Sequence, residues 1–161
     1  SIDIHGSPGA AFSLTFRQWQ QFYFAGAELP RNTMNGMDQD PDNDGASNAL
    51  EFAFGTDPLV SQGETGLVSP ELAVVDHGNA GSFAAIRFRA RPVVSGVAYS
   101  AQVSENLIDW TSSTQPNGPI ADDTIEMGDG SRALLFRDRA DLETMLSRYL
   151  RAAADISAAR E

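Results

Sequence analysis

Residues 83–91 read FAAIRFRAR, and residues 96–104 read GVAYSAQVS. In the first stretch Ala84, Ile86 and Phe88 fall on one side of an extended chain and Arg87, Arg89 and Arg91 on the other. In the second, Val97, Tyr99, Ala101 and Val103 alternate with Ala98, Ser100, Gln102 and Ser104. Successive side chains of a pleated chain point to opposite faces, so a period of two predicts strands with one face buried. Pro92 and Gly96 bracket a tight turn between them. Further on, TIEMGDGSRALLFR (124–137) predicts a hairpin turning at residues 128–130. SRYLRAAADI (147–156) is read as a last strand, with helix as the competing reading because of its alanines. Short strands separated by turn signals predict an antiparallel β-sandwich over residues 71–157, reached by a connector at 60–70.

Upstream the period changes. SLTFRQWQQFYF (13–24) sets Phe16, Trp19 and Tyr23 at helical intervals, with Ser13 or Thr15 as N-cap. A helix over 14–24 is expected, ended by Ala25 and Gly26, with a loop over 27–37. SNALEFAF (47–54) predicts a second, short helix closed by Gly55, and Asp57 with Pro58 prevents its continuation. Residues 1–12, SIDIHGSPGAAF, are read as an arm or edge strand. The expected fold is therefore mainly β: an arm (1–12), a small helical segment (13–60) and a sandwich.

The 161 residues suffice for a real core, and 42% hydrophobic content is that of a globular chain. A net charge of −11 argues against nucleic acid and anionic membrane surfaces as partners. The acidity is local, because residues 32–86 carry nine acids and no Arg or Lys. Cysteine is absent, which excludes disulfides, thiolate metal sites and cysteine nucleophiles. Lysine is absent too, which removes Schiff-base chemistry. No apolar run of about 18 residues exists to insert in a membrane. No signal peptide opens the sequence, and its start at Ser1 suggests a processed or excised form.

The charge centres on DQDPDNDGASNALEFAFGTD (38–57), which holds six carboxylates. With Asp40 as position 1, Asp42 is 3, Asp44 is 5, Gly45 is 6, Ala46 is 7, Asn48 is 9 and Glu51 is 12. That is the spacing of an EF-hand-type calcium loop. Alternate residues of such a loop turn their carboxylates inward, so Asp40, Asp42 and Asp44 each offer an oxygen. Gly45 permits the reversal, and Ala46 contributes a carbonyl. Asn48 coordinates directly or through water, and Glu51 closes the shell with both oxygens. An all-oxygen set suits Ca2+ better than Mg2+, and without His or Cys it does not suit zinc. The competing reading is a solvated turn, since Asp and Asn favour turns anyway. Asp38 is read as a flanking charge and Asp57 as a turn cap. One loop with no second loop, and with no helix leading directly into it, departs from a paired EF-hand.

This lone loop resembles those of dockerins and thrombospondin type 3 repeats. The resemblance extends over about residues 16–154. Trp19 and Phe22, then DPDNDGASNALEFAFGTDPL (40–59), IRFRAR, VAYSAQVSENLIDW (97–110) and RYLRAAA resemble a module at the C-terminal ends of large secreted proteins of Verrucomicrobia and related bacteria. Tyr99, Val103, Ser104, Asn106, Leu107 and Trp110 match its second motif, with Asn106 where Asp is usual. What the resemblance implies is an exported β-rich module without transferable catalytic residues. Weak calcium sites suit the millimolar calcium outside cells, which points to an extracellular or cell-surface location.

Other candidates are weaker. His5 and His77 are the two histidines, and no nucleophile and third group accompany either. Asp122, Asp123, Glu126 and Asp129 flank the expected hairpin, as turn residues or as a second, weak calcium site. Arg87, Arg89 and Arg91 are expected on a solvated strand face, or as a contact for an acidic neighbour. Trp19 and Trp110 are expected in the core rather than stacked on sugars. The expected function is a non-enzymatic structural or assembly module that associates with itself or neighbouring extracellular domains through sheet edges or the arm. The alternatives are an accessory module of a secreted enzyme that binds polysaccharide or tethers to the cell surface, and, last, a hydrolase.

Overall fold

The computed structural model describes residues 14–25, 34–61, 70–92, 96–128, 130–144 and 147–160. The arm, His5, Ser13, Asp129 and most of the connector lie outside the described residues, as do 93–95 of the Pro92-to-Gly96 turn. The described part is mainly β, with seven strands in two antiparallel sheets and a small helical part.

Helix α1 spans Phe16–Phe24. Thr15 caps it: Gln18 N–H donates to the Thr15 hydroxyl at 3.3 Å, and the Gln18 side chain accepts from Thr15 N–H at 2.9 Å. This reciprocal pair satisfies two donors that a helix start otherwise leaves unmet. Helix α2 spans Asn48–Phe54 and ends at Gly55, whose φ of 78° is the left-handed conformation that lacks a Cβ penalty. Of the loop expected over 27–37 only 34–37 are described, and Met34 is helical.

Strands β1 (Glu71–Asp76), β2 (Ser82–Ala90), β5 (Ile120–Glu126) and β6 (Arg132–Asp141) form one sheet in the order β1-β2-β6-β5. Strands β3 (Ala98–Ser104), β4 (Thr111–Ser112) and β7 (Tyr149–Asp155) form the other, in the order β4-β3-β7. Residues 147–156 thus resolve to strand, not helix. The expected hairpin is β5–β6, closed by Met127 N–H to Ser131 O at 2.8 Å.

The sheets face each other, sandwich-like, across Ile86, Phe88, Ala90, Ala101, Leu134 and Phe136, with Leu150 and Ala152 packed against them. A second cluster joins the helices to the sheet ends: Phe16, Trp19, Phe24, Phe52 and Ala53 bury themselves with Val97 and Ile156. Phe54 and Tyr99 border both clusters and meet at 5.9 Å between ring centroids. The helical part is therefore welded to the sheets by aromatic contact rather than tethered beside them.

Two expectations fail. Arg91 is fully buried instead of lying on a solvated stripe with Arg87 and Arg89. It follows the last residue of β2, where the chain leaves the pleat and the two-residue period no longer sets direction. Trp110 is half-buried rather than in the core, with the Arg151 guanidinium 3.9 Å above its ring. Trp19 does lie in the core, fully buried.

Candidate metal centre

Residues 34–56 fold over the N-terminal end of α2. Asn48 N–H donates to Gln39 O at 2.7 Å, and Ala49 N–H to Met37 O at 3.0 Å. The buried Asn48 side chain donates through Nδ2 to Met34 O at 2.8 Å and Gly36 O at 2.7 Å. These bonds pin the entering segment to the first turn of the helix. Between them, Asn43 and Gly45 adopt φ of 60° and 93°, a region that Asn tolerates and Gly enters freely.

The reversal turns the aspartates inward. Asp40 Oδ2 accepts from Gly45 N–H at 3.0 Å, Asp42 Oδ1 from Asp44 N–H at 3.2 Å, and Asp44 Oδ1 from Ala46 N–H at 2.8 Å. One carboxylate oxygen from each of Asp40, Asp42 and Asp44 lies within 4.8 Å of the others. Two oxygens bound to one ion at calcium-like distances can stand at most about 5 Å apart. The triad has the dimensions of a site for a single metal ion.

Four side-chain oxygens here are buried with no hydrogen-bond partner: Asp40 Oδ1, Asp42 Oδ2, Asn48 Oδ1 and Glu51 Oε2. Glu51 is 1% exposed, and its other oxygen accepts from the Thr56 hydroxyl at 3.4 Å. Burial, and then the charges of Asp42 and Asp44, push the Glu51 carboxyl up to about 8. Burial also raises Asp42, with Asp44 and Asp40 adding to it against the Asp44 N–H. An unpartnered buried polar atom costs about 1–3 kcal/mol, so four of them cost roughly 4–12 kcal/mol. Whole domains are stable by only about 5–15 kcal/mol. A bound cation would satisfy the oxygens and offset the repulsion together.

Of the six expected ligand residues, the structure groups Asp40, Asp42 and Asp44; Asn48 and Glu51 stand outside that grouping, each with one buried oxygen that lacks a partner. Ala46 lies between them with its N–H held by Asp44. Asp38 is exposed, and Asp57 caps a turn by accepting from Leu59 N–H at 3.0 Å.

Sequence reasoning missed the residues that hold the other end of α2. Arg91 Nε donates to Phe52 O, and the Tyr99 hydroxyl donates to Ala53 O. The last carbonyls of a helix lack partners within it, and a cation there also suits the helix dipole. Burial lowers the Arg91 guanidinium to about 10. No local pattern marks these two residues, since in the sequence both continue an ordinary two-residue alternation.

Among the remaining candidates, Asp122, His77 and Asp123 are engaged in structural contacts. Asp122 Oδ1 meets both His77 Nε2 and Arg137 Nε at 3.0 Å. Asp123 accepts from Thr124 N–H at 2.8 Å. Among the described residues, the aspartate triad is the one grouping of three or more acids, histidines or cysteines close enough to hold an ion. The Ser104-to-Trp110 motif builds a turn. Ser104 Oγ accepts from Asn106 and Leu107 N–H, and Asn106 Oδ1 from Ile108 and Asp109 N–H. No helix among the described residues is long and apolar enough to cross a membrane. Comparisons with protein-family models, with curated proteins and with solved structures give no match to this chain.

Proposed function

We propose that this chain is a non-enzymatic, extracellular calcium-binding module with a structural or assembly role. The observation that carries the reading is the set of four unpartnered buried oxygens on Asp40, Asp42, Asn48 and Glu51. In an EF-hand-type arrangement Asp40, Asp42, Asp44 and Glu51 supply carboxylate oxygens, Ala46 a carbonyl, and Asn48 an oxygen directly or through water. An all-oxygen set with four acids favours Ca2+ over Mg2+, which keeps more of its waters. The ion would hold one end of α2 while Arg91 and Tyr99 hold the other, so its binding energy would become folding energy. Calcium titration calorimetry tests this: one site per chain is expected, and no heat beyond dilution would refute it.

One observation favours the accessory reading, in which the module binds polysaccharide. Trp110 is half-buried at the surface, and an aromatic face there can stack on a sugar ring. Retention on insoluble polysaccharides that is lost in Trp110→Ala would support it, and elution of both proteins with the void would remove it.

A further inference from the structure

The aspartate loop is closed at its mouth, and one buried side chain makes most of the closure. Asn48 N–H donates to Gln39 O at 2.7 Å, which bonds together the two residues that bracket Asp40, Asp42 and Asp44. Ala49 N–H repeats the tie further out, on Met37 O at 3.0 Å. Asn48 Nδ2 adds two bonds, to Met34 O at 2.8 Å and to Gly36 O at 2.7 Å. Asn48 is fully buried, so bulk water does not compete for these groups. The entering segment is anchored in its turn. Gln20 Nε2 of α1 donates to Asn35 O at 2.5 Å, and Met37 packs on the cluster that holds Trp19 and Phe52. The mouth of the loop therefore hangs on both helices.

The same bonds fix which way the amide points. Both partners of Nδ2 are carbonyl oxygens, so a flipped amide would set Oδ1 against two acceptors. Oδ1 thus keeps one position, and there it is buried with no hydrogen-bond partner among the described residues. Rotating it toward a partner elsewhere would break both Nδ2 bonds. Asn48 therefore presents a preset acceptor and, with the same side chain, holds the two ends of the loop together.

We infer that Asn48 sets the size of ion that the loop accepts, and is the residue that separates Ca2+ from Mg2+. The inference rests on the calcium reading above and names what makes that site selective. Ligand oxygens sit about 2.3–2.6 Å from Ca2+ and about 2.0–2.1 Å from Mg2+. A loop that serves Mg2+ must therefore draw in around the ion, and a loop with free ends does so by sliding its exit past its entry. Here that movement strains four hydrogen bonds, three of them on Asn48, in an interior that offers no replacement. Mg2+ also demands near-ideal octahedral geometry, whereas Ca2+ tolerates an oxygen whose place is already fixed. Asn48 acts in this as a positioning residue, through the span of the loop.

The test is calorimetry of the full chain with Ca2+, and with Mg2+ by competition, on wild type and Asn48→Ser, with circular dichroism to check the fold. Wild type should prefer Ca2+ by at least about a hundredfold. In Asn48→Ser the Ca2+ affinity should fall about tenfold while Mg2+ changes less than twofold, so the preference narrows. Equal losses for both ions in a folded variant would overturn the inference, because a merely structural role weakens both alike. Wild type that binds Ca2+ without preference over Mg2+ would overturn it and leave the calcium site standing. Wild type that binds neither ion would remove the calcium reading and this inference with it. Should Asn48→Ser not fold, the trivalent lanthanides decide on wild type alone, since their charge is constant while their radius falls along the series. A mouth held at one size gives an affinity that peaks at the lanthanides closest to Ca2+ in radius. An affinity that rises steadily to the smallest ion, as for a flexible chelator, would overturn the inference.

Discussion

Arg91 donates its Nε–H to the main-chain carbonyl of Phe52 and lays its guanidinium 3.7 Å from the centre of the same residue's ring. Phe52 stands one residue after Glu51, whose buried carboxyl is raised by the charges of Asp42 and Asp44 as well as by burial. The proposed ion and the sheets are thereby linked through less than two turns of helix. Removing the guanidinium leaves buried carbonyls unmet and a void above a core ring. Arg91→Ala should lower stability by about 3 kcal/mol in chemical denaturation. It should also weaken calcium binding several-fold, because α2 is then held at one end only. Unchanged affinity in a folded Arg91→Ala protein would break the proposed link.

The two acids that flank α2 should behave differently. Glu51 is buried with an unpartnered oxygen, whereas Asp57 serves a turn. Glu51→Gln should weaken calcium binding at least tenfold by calorimetry, and Asp57→Asn should change it less than twofold. The opposite ranking would mean that the loop register is wrong.

Acid sensitivity should trace to a different buried acid. Asp138 is fully buried, and Arg148 binds both its oxygens at 2.7 Å. Burial alone would raise this carboxyl, but the Arg148 hydrogen bonds and charge, with Ala140 and Arg139 N–H, outweigh it and hold it below its ordinary value. A group depressed in the folded state stabilises fully above its unfolded value and loses that contribution as pH falls through the folded one. Asp138→Asn should therefore cost about 2 kcal/mol near neutral pH, since it takes the buried carboxylate from a half-buried guanidinium and leaves it only the exposed Glu105. The gap to wild type should shrink as pH drops below about 4. Urea unfolding of both proteins at several pH values checks this, and a gap that is constant with pH would contradict it.

What was legible in the sequence is what short-range spacing controls. The helix at 48–54, its Gly55 stop, the β5–β6 hairpin and the convergence of Asp40, Asp42 and Asp44 all follow from contacts within a dozen residues. Alternation placed Ile86 and Phe88 in the core, yet gave no warning that Arg91, in the same phase as Arg87 and Arg89, turns inward once the strand has ended. Trp110 misled in the opposite sense. Its motif is a turn held by Ser104 and Asn106, and the turn leaves the ring under Arg151 rather than in the core. Tyr99 was read as an inward strand residue, but its bond to Ala53 O depends on how a helix 46 positions away docks.

The central claim is that a calcium ion orders the aspartate loop and secures α2. Thermal unfolding with calcium at about 100 times its dissociation constant, against unfolding with chelator, tests it most directly. The added binding energy of about 2.7 kcal/mol should raise the midpoint by about 5–10 °C, and Glu51→Gln should lose most of that rise. Coincident melting curves with calcium and with chelator would contradict the account.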